Sequence, residues 1–249
     1  MCSENQDLLR QDEFLMEKND NSKRTYEAII DSIKTDIMNG KIKPGQKLPP
    51  ERELAKKFNV SRTSIREALR TLEILGVIKS VQGSGNYITG DFEKSLIESM
   101  SMMFLLQQID SLEFFQFREA LELKAAMLAV RNIDDEKIRK LEEILAEMAQ
   151  SENEANRSSL DKQLHDTIAA ASKNSMIIQI LNILSEVISQ DIKQRRSEIL
   201  SDPQNIKRLQ KIHEEMVFSL KQRNAQATYA AFTKHFDLIA EYIKTSKNS

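Results

Sequence analysis

The 249-residue sequence predicts a mainly α-helical protein: an N-terminal winged helix-turn-helix followed by a C-terminal all-α bundle of about seven helices. Three observations predict it. Between Leu48 and Gly76 two apolar-periodic segments meet at a tight turn, and hydroxyls and arginines open the second. Two short β-branched runs, VIKSV and NYIT, come next, split by QGSG, which is a hairpin pattern. Beyond Asp91 there is no further glycine and the only proline is Pro203, while helical periodicity continues almost unbroken to Ile243.

Residues 1–21 are mostly polar and lack strong periodicity, so they read as a disordered tail, with a short helix around Leu8 to Met16 as an alternative. Tyr26, Ile29, Ile30, Ile33, Ile37 and Met38 then recur at helical spacing, and Gly40 supplies the cap. KIKPGQKLPP is loop-like, with its turn at Pro44-Gly45. A second helix starts near Glu51 and buries Leu54 and Phe58. The third starts at Ser61, whose hydroxyl can cap the free amides of the first turn. Ile65, Ala68, Leu69, Leu72 and Leu75 form its apolar stripe, and Gly76 stops it. Further helices are expected near 93–108, 111–131, 134–151, 154–171, 175–199, 203–223 and 225–245. The domains are therefore a tail over 1–21, a winged helix-turn-helix over 22–90 and an all-α bundle over 91–249.

Composition sets the class. Apolar residues make up 40% and charged residues 30%, as in soluble globular proteins. No apolar run approaches the roughly 20 residues that span a bilayer. The N-terminus has no basic-then-apolar order, and the single cysteine, Cys2, allows no internal disulfide, so a cytoplasmic protein without membrane partners is expected. A net charge of −2 taken alone argues against a nucleic-acid binder, but the way the charge is distributed argues for one. Residues 22–90 hold 13 Lys and Arg against 7 Asp and Glu, whereas residues 91–249 hold 21 against 25. A basic module is followed by an acidic one, as expected when only one part meets DNA.

The reading helix is the third. Arg62 and Arg66 are four apart and share a face. Arginine can bridge guanine O6 and N7, a contact worth roughly 1–3 kcal/mol of discrimination. Ser61, Thr63 and Ser64 suit phosphates or the thymine methyl. Arg52, at the start of the preceding helix, can reach the backbone or a base, and Gln82, Gly83 and Ser84 form a wing tip for the minor groove. A dinucleotide-binding reading of the GSG run fails, because Ile88 stands where a third glycine is needed and a hairpin surrounds it.

PERELAKKFNVSRTSIREALRTLEILGVIKSVQGSGNYI resembles the DNA-binding domain of the GntR family of bacterial transcription regulators, in its FadR-like branch. The resemblance covers nearly all of residues 24–90. It implies that Arg52, Ser61, Arg62, Thr63, Ser64, Arg66 and Gly83 touch DNA. Pro50 stands where the family more often has a small residue, and a helix start tolerates it.

All three histidines, His165, His213 and His235, lie in the bundle, and Asp161 precedes His165 by one helical step of four. His213 falls early on one expected helix and His235 late on the next, so antiparallel packing would bring them to one level. One carboxylate and three imidazoles suit Zn²⁺, Ni²⁺, Mn²⁺ or Fe²⁺. By spacing alone, scattered histidines are more often surface or core residues than metal ligands. The segments FREALELKAAMLAV and DKQLHDTIAAASKN and the stretch from His213 to His235 resemble the FCD effector domain of FadR-like regulators. The resemblance implies that Asp161, His165, His213 and His235 bind a divalent metal ion, with Leu164 in place of the commoner Phe. It also implies that Arg118 contacts an effector. A guanidinium facing a metal is a receptor for a small organic acid, and the other reading of Arg118 is a surface salt bridge with Glu122.

The sequence thus reads as a transcription regulator, in the family's usual manner a repressor, that binds a palindromic operator in double-stranded DNA as a homodimer and is controlled by a small carboxylate. Two rivals stand beside it. One is a metal-dependent enzyme, disfavoured because the bundle has no cysteine, its histidines are all taken as ligands and no catalytic signature appears. The other is a regulator whose metal is purely structural.

Overall fold

The computed structural model describes residues 25–187 and 203–245. The tail over 1–21, the short helix within it and residues 188–199 of the helix expected over 175–199 lie outside the described residues. The chain divides into two compact units between Leu96 and Ile97.

In the first unit α1 (residues 25–38) buries Ile29, Ile30 and Ile33. Met38, expected on that stripe, is exposed, because a residue directly after Ile37 lies about 100° further round the helix. Helix α2 (Glu51–Phe58) buries Leu54 and ends on Asn59 in the left-handed conformation. Helix α3 (Arg62–Ile74) is capped by Ser61, whose Oγ accepts from the Ser64 N–H at 3.0 Å. Ile65, Ala68, Leu69 and Leu72 enter the core as expected, but Leu75 is exposed, since it closes the helix instead of extending its stripe. Gly76 then turns the chain at φ +74, and a Cβ there would stand 2.1 Å from the Asp91 carbonyl oxygen. Only glycine satisfies both conditions.

Strands β1 (Ile78–Val81) and β2 (Gly85–Ile88) pair antiparallel, with Ile78 opposite Ile88 and Val81 opposite Gly85. The stretch 45–48, expected as loop, runs along the other edge of β2. There the Gly45 N–H donates to the Ile88 carbonyl at 2.7 Å and the Ile88 N–H to that of Gln46 at 2.9 Å. That covers an edge otherwise open to unwanted pairing.

Helix α4 (Glu93–Gln107) opens in the first unit, where the Ser95 hydroxyl donates to the Leu75 carbonyl, and continues into the second. It is followed by α5 (Ser111–Asn132), α6 (Asp135–Gln150), α7 (Glu154–Ala171), α8 (Ser175–Val187), α9 (Pro203–Lys221) and α10 (Ala225–Thr245). Starts are set by side-chain caps. Asp110 and Glu113 form a reciprocal capping box on α5, Asp134 caps α6 and Asn153 caps α7, each worth about 1 kcal/mol. Helices α5, α6, α7, α9 and α10 pack around Leu141, Leu164, Ile168, Met216, Leu220 and Phe232. A second cluster joins α8 to α5 through Leu181, Leu184 and Phe114, and Phe104 of α4 meets the Phe114 ring edge-to-face at 5.6 Å. The turn between α9 and α10 is tied down by Arg223, which donates to the Ile133 carbonyl at 2.7 Å.

Candidate nucleic-acid interface and metal centre

Helix α3 presents a polar face opposite its buried stripe. Arg52, Ser61, Arg62, Thr63, Arg66 and Gly83 are exposed and Ser64 is half-buried. The wing tip closes with the Ser84 N–H donating to the Val81 carbonyl at 2.9 Å, and Gly83 sits there at φ +73. Glu51, which sequence reasoning missed, lies between the two arginines. Its Oε2 is 3.8 Å from Arg62 Nη2 and 3.6 Å from Arg66 Nε. Exposed pairs of this kind contribute about 0–1 kcal/mol. They orient the guanidinium groups without committing them, so a phosphate or guanine can displace the carboxylate.

In the second unit α9 and α10 form an antiparallel hairpin. His213 lies eight residues before the end of α9 and His235 ten after the start of α10, which brings the two imidazoles to one level. Their ring centroids are 5.1 Å apart, and His165 of α7 stands 4.8 Å from His235 and 5.9 Å from His213. Asp161, one turn before His165, directs Oδ1 to within 3.2 Å of His213 Nε2 and 3.9 Å of His165 Nε2. The four residues named from the sequence are thus gathered in one buried cluster.

Helix α5 adds a layer behind them. Glu122 is buried; its Oε2 lies 2.5 Å from His165 Nδ1, and its Oε1 accepts from Arg118 Nε. The Arg118–Glu122 pair is therefore no surface salt bridge but the inner wall of the cluster. Burial pushes the Glu122 carboxyl up, yet Arg118 and His165 outweigh it and hold the group well below the ordinary carboxylate range. Burial likewise lowers His165, but Glu122 turns the net shift upward. For His235 burial and the two neighbouring imidazoles act together and hold it well below its ordinary value, so its ring is neutral at pH 7. With His165 Nδ1 engaged by Glu122, Nε2 is the ring nitrogen left to face Asp161 and to serve as a metal ligand.

These residues fit a divalent cation. Three imidazoles offer ligand atoms within 4.8 Å of one another, with a carboxylate beside them. His235 Nδ1 is buried and has no hydrogen-bond partner among the described residues. A neutral, buried, unpartnered imidazole nitrogen is a vacant ligand position or a cost of about 1–3 kcal/mol.

Both halves of the chain match known families. Residues 25–88 match the family described as bacterial regulatory proteins, gntR family, and residues 113–238 match the FCD domain. The HTH-type transcriptional regulator LutR of Bacillus subtilis (strain 168) is 28% identical over 210 residues, covering 83% of this chain and 95% of the relative. The Uxu operon transcriptional regulator of Escherichia coli (strain K12) is 32% identical over 163 residues, covering 64% of this chain and 63% of the relative. Among solved structures, Streptococcus agalactiae GntR shares the fold with a TM-score of 0.59 at 23% identity, covering 87% of this chain and 99% of that one. Among the described residues no helix is long and apolar enough to cross a membrane.

Proposed function

This chain belongs to the GntR family of bacterial regulatory proteins and carries an FCD domain, and from that premise we propose a metal-dependent sensor that releases its operator when a small carboxylate binds. The protein is a DNA-binding transcription regulator and not an enzyme. The finer reading makes it a cytoplasmic repressor of a palindromic operator. Arg62 and Arg66 would read bases, Arg52 the backbone or a base, Ser61, Thr63 and Ser64 phosphates or thymine methyls, and Gly83 would approach the minor groove.

Two half-sites require two copies. Helix α4 supports a homodimer: Met102, Leu105 and Leu106 form an apolar patch at helical spacing and are 55%, 72% and 73% exposed.

The observation that carries the sensor reading is the buried cluster of Asp161, His165, His213 and His235 with its unpartnered His235 Nδ1. These four would hold a divalent ion of the Zn, Ni, Mn or Fe type, which supplies open positions for an oxygen ligand. Glu122 orients His165, and Arg118, beside them, would meet the effector's carboxylate. A ligand that favours one arrangement of the two winged helices shifts the operator equilibrium by its differential affinity alone.

The test is operator binding by the full-length protein, loaded with Zn²⁺ or Ni²⁺ or treated with chelator, across acetate, lactate, malonate and citrate. The expected result is release by at least one acid only when metal is present, with the chelated protein still folded and bound. A chelated protein that unfolds makes the metal structural, and no response to any of the acids removes the sensor reading.

A further inference from the structure

We infer that Arg157 is an anion receptor of this centre, holding an oxygen of a small carboxylate where Asp161 and His213 border a cavity. The inference rests on the carboxylate-sensor reading and adds the residue that fixes the ligand's charged end. Arg157, Asp161 and His165 follow one another at four-residue steps along α7, so they share one face. Arg157, Gln210, Asp161 and His213 supply the polar lining of a partly open cavity of about 20 Å³, whose apolar lining is Met148, Ile206 and Leu209. That is room for one water molecule or one ligand oxygen.

The Arg157 guanidinium is held in place by a hydrogen bond from Nη2 to the Glu152 carbonyl at 3.1 Å. Its Nε is buried and has no hydrogen-bond partner among the described residues. No carboxylate among the described residues pairs with it. Arg118, on the α5 side, has its Nε bonded to Glu122, so it offers a carboxylate only its terminal nitrogens. A group that captures an anion needs net positive charge and a vacant donor. Arg157 has both. The same pair of properties disfavours amines, which would meet a like charge, and neutral ligands, which would leave that charge uncompensated.

The experiment compares full-length wild type with Arg157→Gln and Arg157→Lys, each loaded with Zn²⁺ and checked for metal content and melting temperature. Acetate, lactate, malonate and citrate are titrated by calorimetry. The expected result is metal content like wild type in both variants. Affinity for the responding acid should fall about tenfold to a hundredfold in R157Q and by less in R157K, which keeps the charge but loses the vacant Nε–H. Wild-type affinity in folded R157Q means the cavity holds only water, and overturns the assignment. Should R157Q fail to fold, undiminished affinity in R157K overturns it equally. No acid binding in the wild type instead sinks the sensor reading itself, and the Arg157 assignment with it.

Discussion

Replacing Glu122 with glutamine isolates what the buried carboxylate does for the histidine cluster. Its two oxygens are divided between Arg118 Nε and His165 Nδ1, the latter at 2.5 Å. Glutamine keeps the shape but removes the charge and can accept on one side only. If its NH₂ faces Arg118, two donors oppose each other and the buried guanidinium loses its counter-charge. If it faces His165, Nδ1 must become the acceptor and the ring proton moves to Nε2, the nitrogen 3.9 Å from Asp161. Either outcome removes a support of a ligand imidazole, which typically lowers metal affinity about 10–100-fold, or roughly 1.4–2.7 kcal/mol. Breaking the buried ion pair adds a stability loss of about 3–5 kcal/mol, a fall in melting temperature on the order of 10 °C.

Because the Glu122 carboxyl is held low, its contribution is present above the ordinary glutamate value of 4.5 and fades only as pH falls through its folded value. The deficit of E122Q should therefore stand undiminished at pH 7. Competition of Zn²⁺ or Ni²⁺ against a chelator, together with thermal melts, measures both effects. Wild-type metal affinity and melting temperature in E122Q would refute the reasoning.

Arg62→Ala and Arg66→Ala should each weaken operator binding by about 1–3 kcal/mol without changing the circular dichroism spectrum; variants that still select the operator from random DNA would show that α3 does not read it. Glu51→Gln should release both arginines from the carboxylate now 3.6–3.8 Å away. Non-specific DNA affinity then rises several-fold and its salt dependence steepens, and an unchanged salt slope counts against the bridging role. Gly76→Ala forces a Cβ to 2.1 Å from the Asp91 carbonyl oxygen at φ +74. A loss of more than about 1 kcal/mol is expected, read from denaturant unfolding of the full chain, and an unchanged midpoint would contradict it.

Much of the fold is legible in the sequence. The starts of α5, α6 and α7 follow from Asp110, Asp134 and Asn153, because a cap is a local, side-chain-specific device. The helix ends are less legible. Gln108, Lys173 and Arg223 take the left-handed conformation that glycine usually marks, so the sequence carries no stop signal there. The Asp161–His165 pair is legible as one helical step, and the approach of His213 to His235 as an antiparallel hairpin. Glu122 is visible only as the i+4 neighbour of Arg118. Its bond to His165, 43 residues away, depends on how α5 packs on α7. Glu51 lies 11 and 15 residues before the arginines it bridges, across a turn whose angle no periodicity encodes. The edge pairing of residues 45–48 leaves no sequence signal, because GQKL has no alternation and no β-branched residue.

The lone nitrogen of His235 reaches beyond the binding site, to how much of this regulator a cell keeps. Left alone, it subtracts about 1–3 kcal/mol from the folded state, a share large enough to change the fraction of chains open to proteases several-fold. Any ion that takes its lone pair restores that margin and adds its own binding energy to it. Metal supply would then set not only whether each molecule can answer an acid, but how many molecules survive to answer.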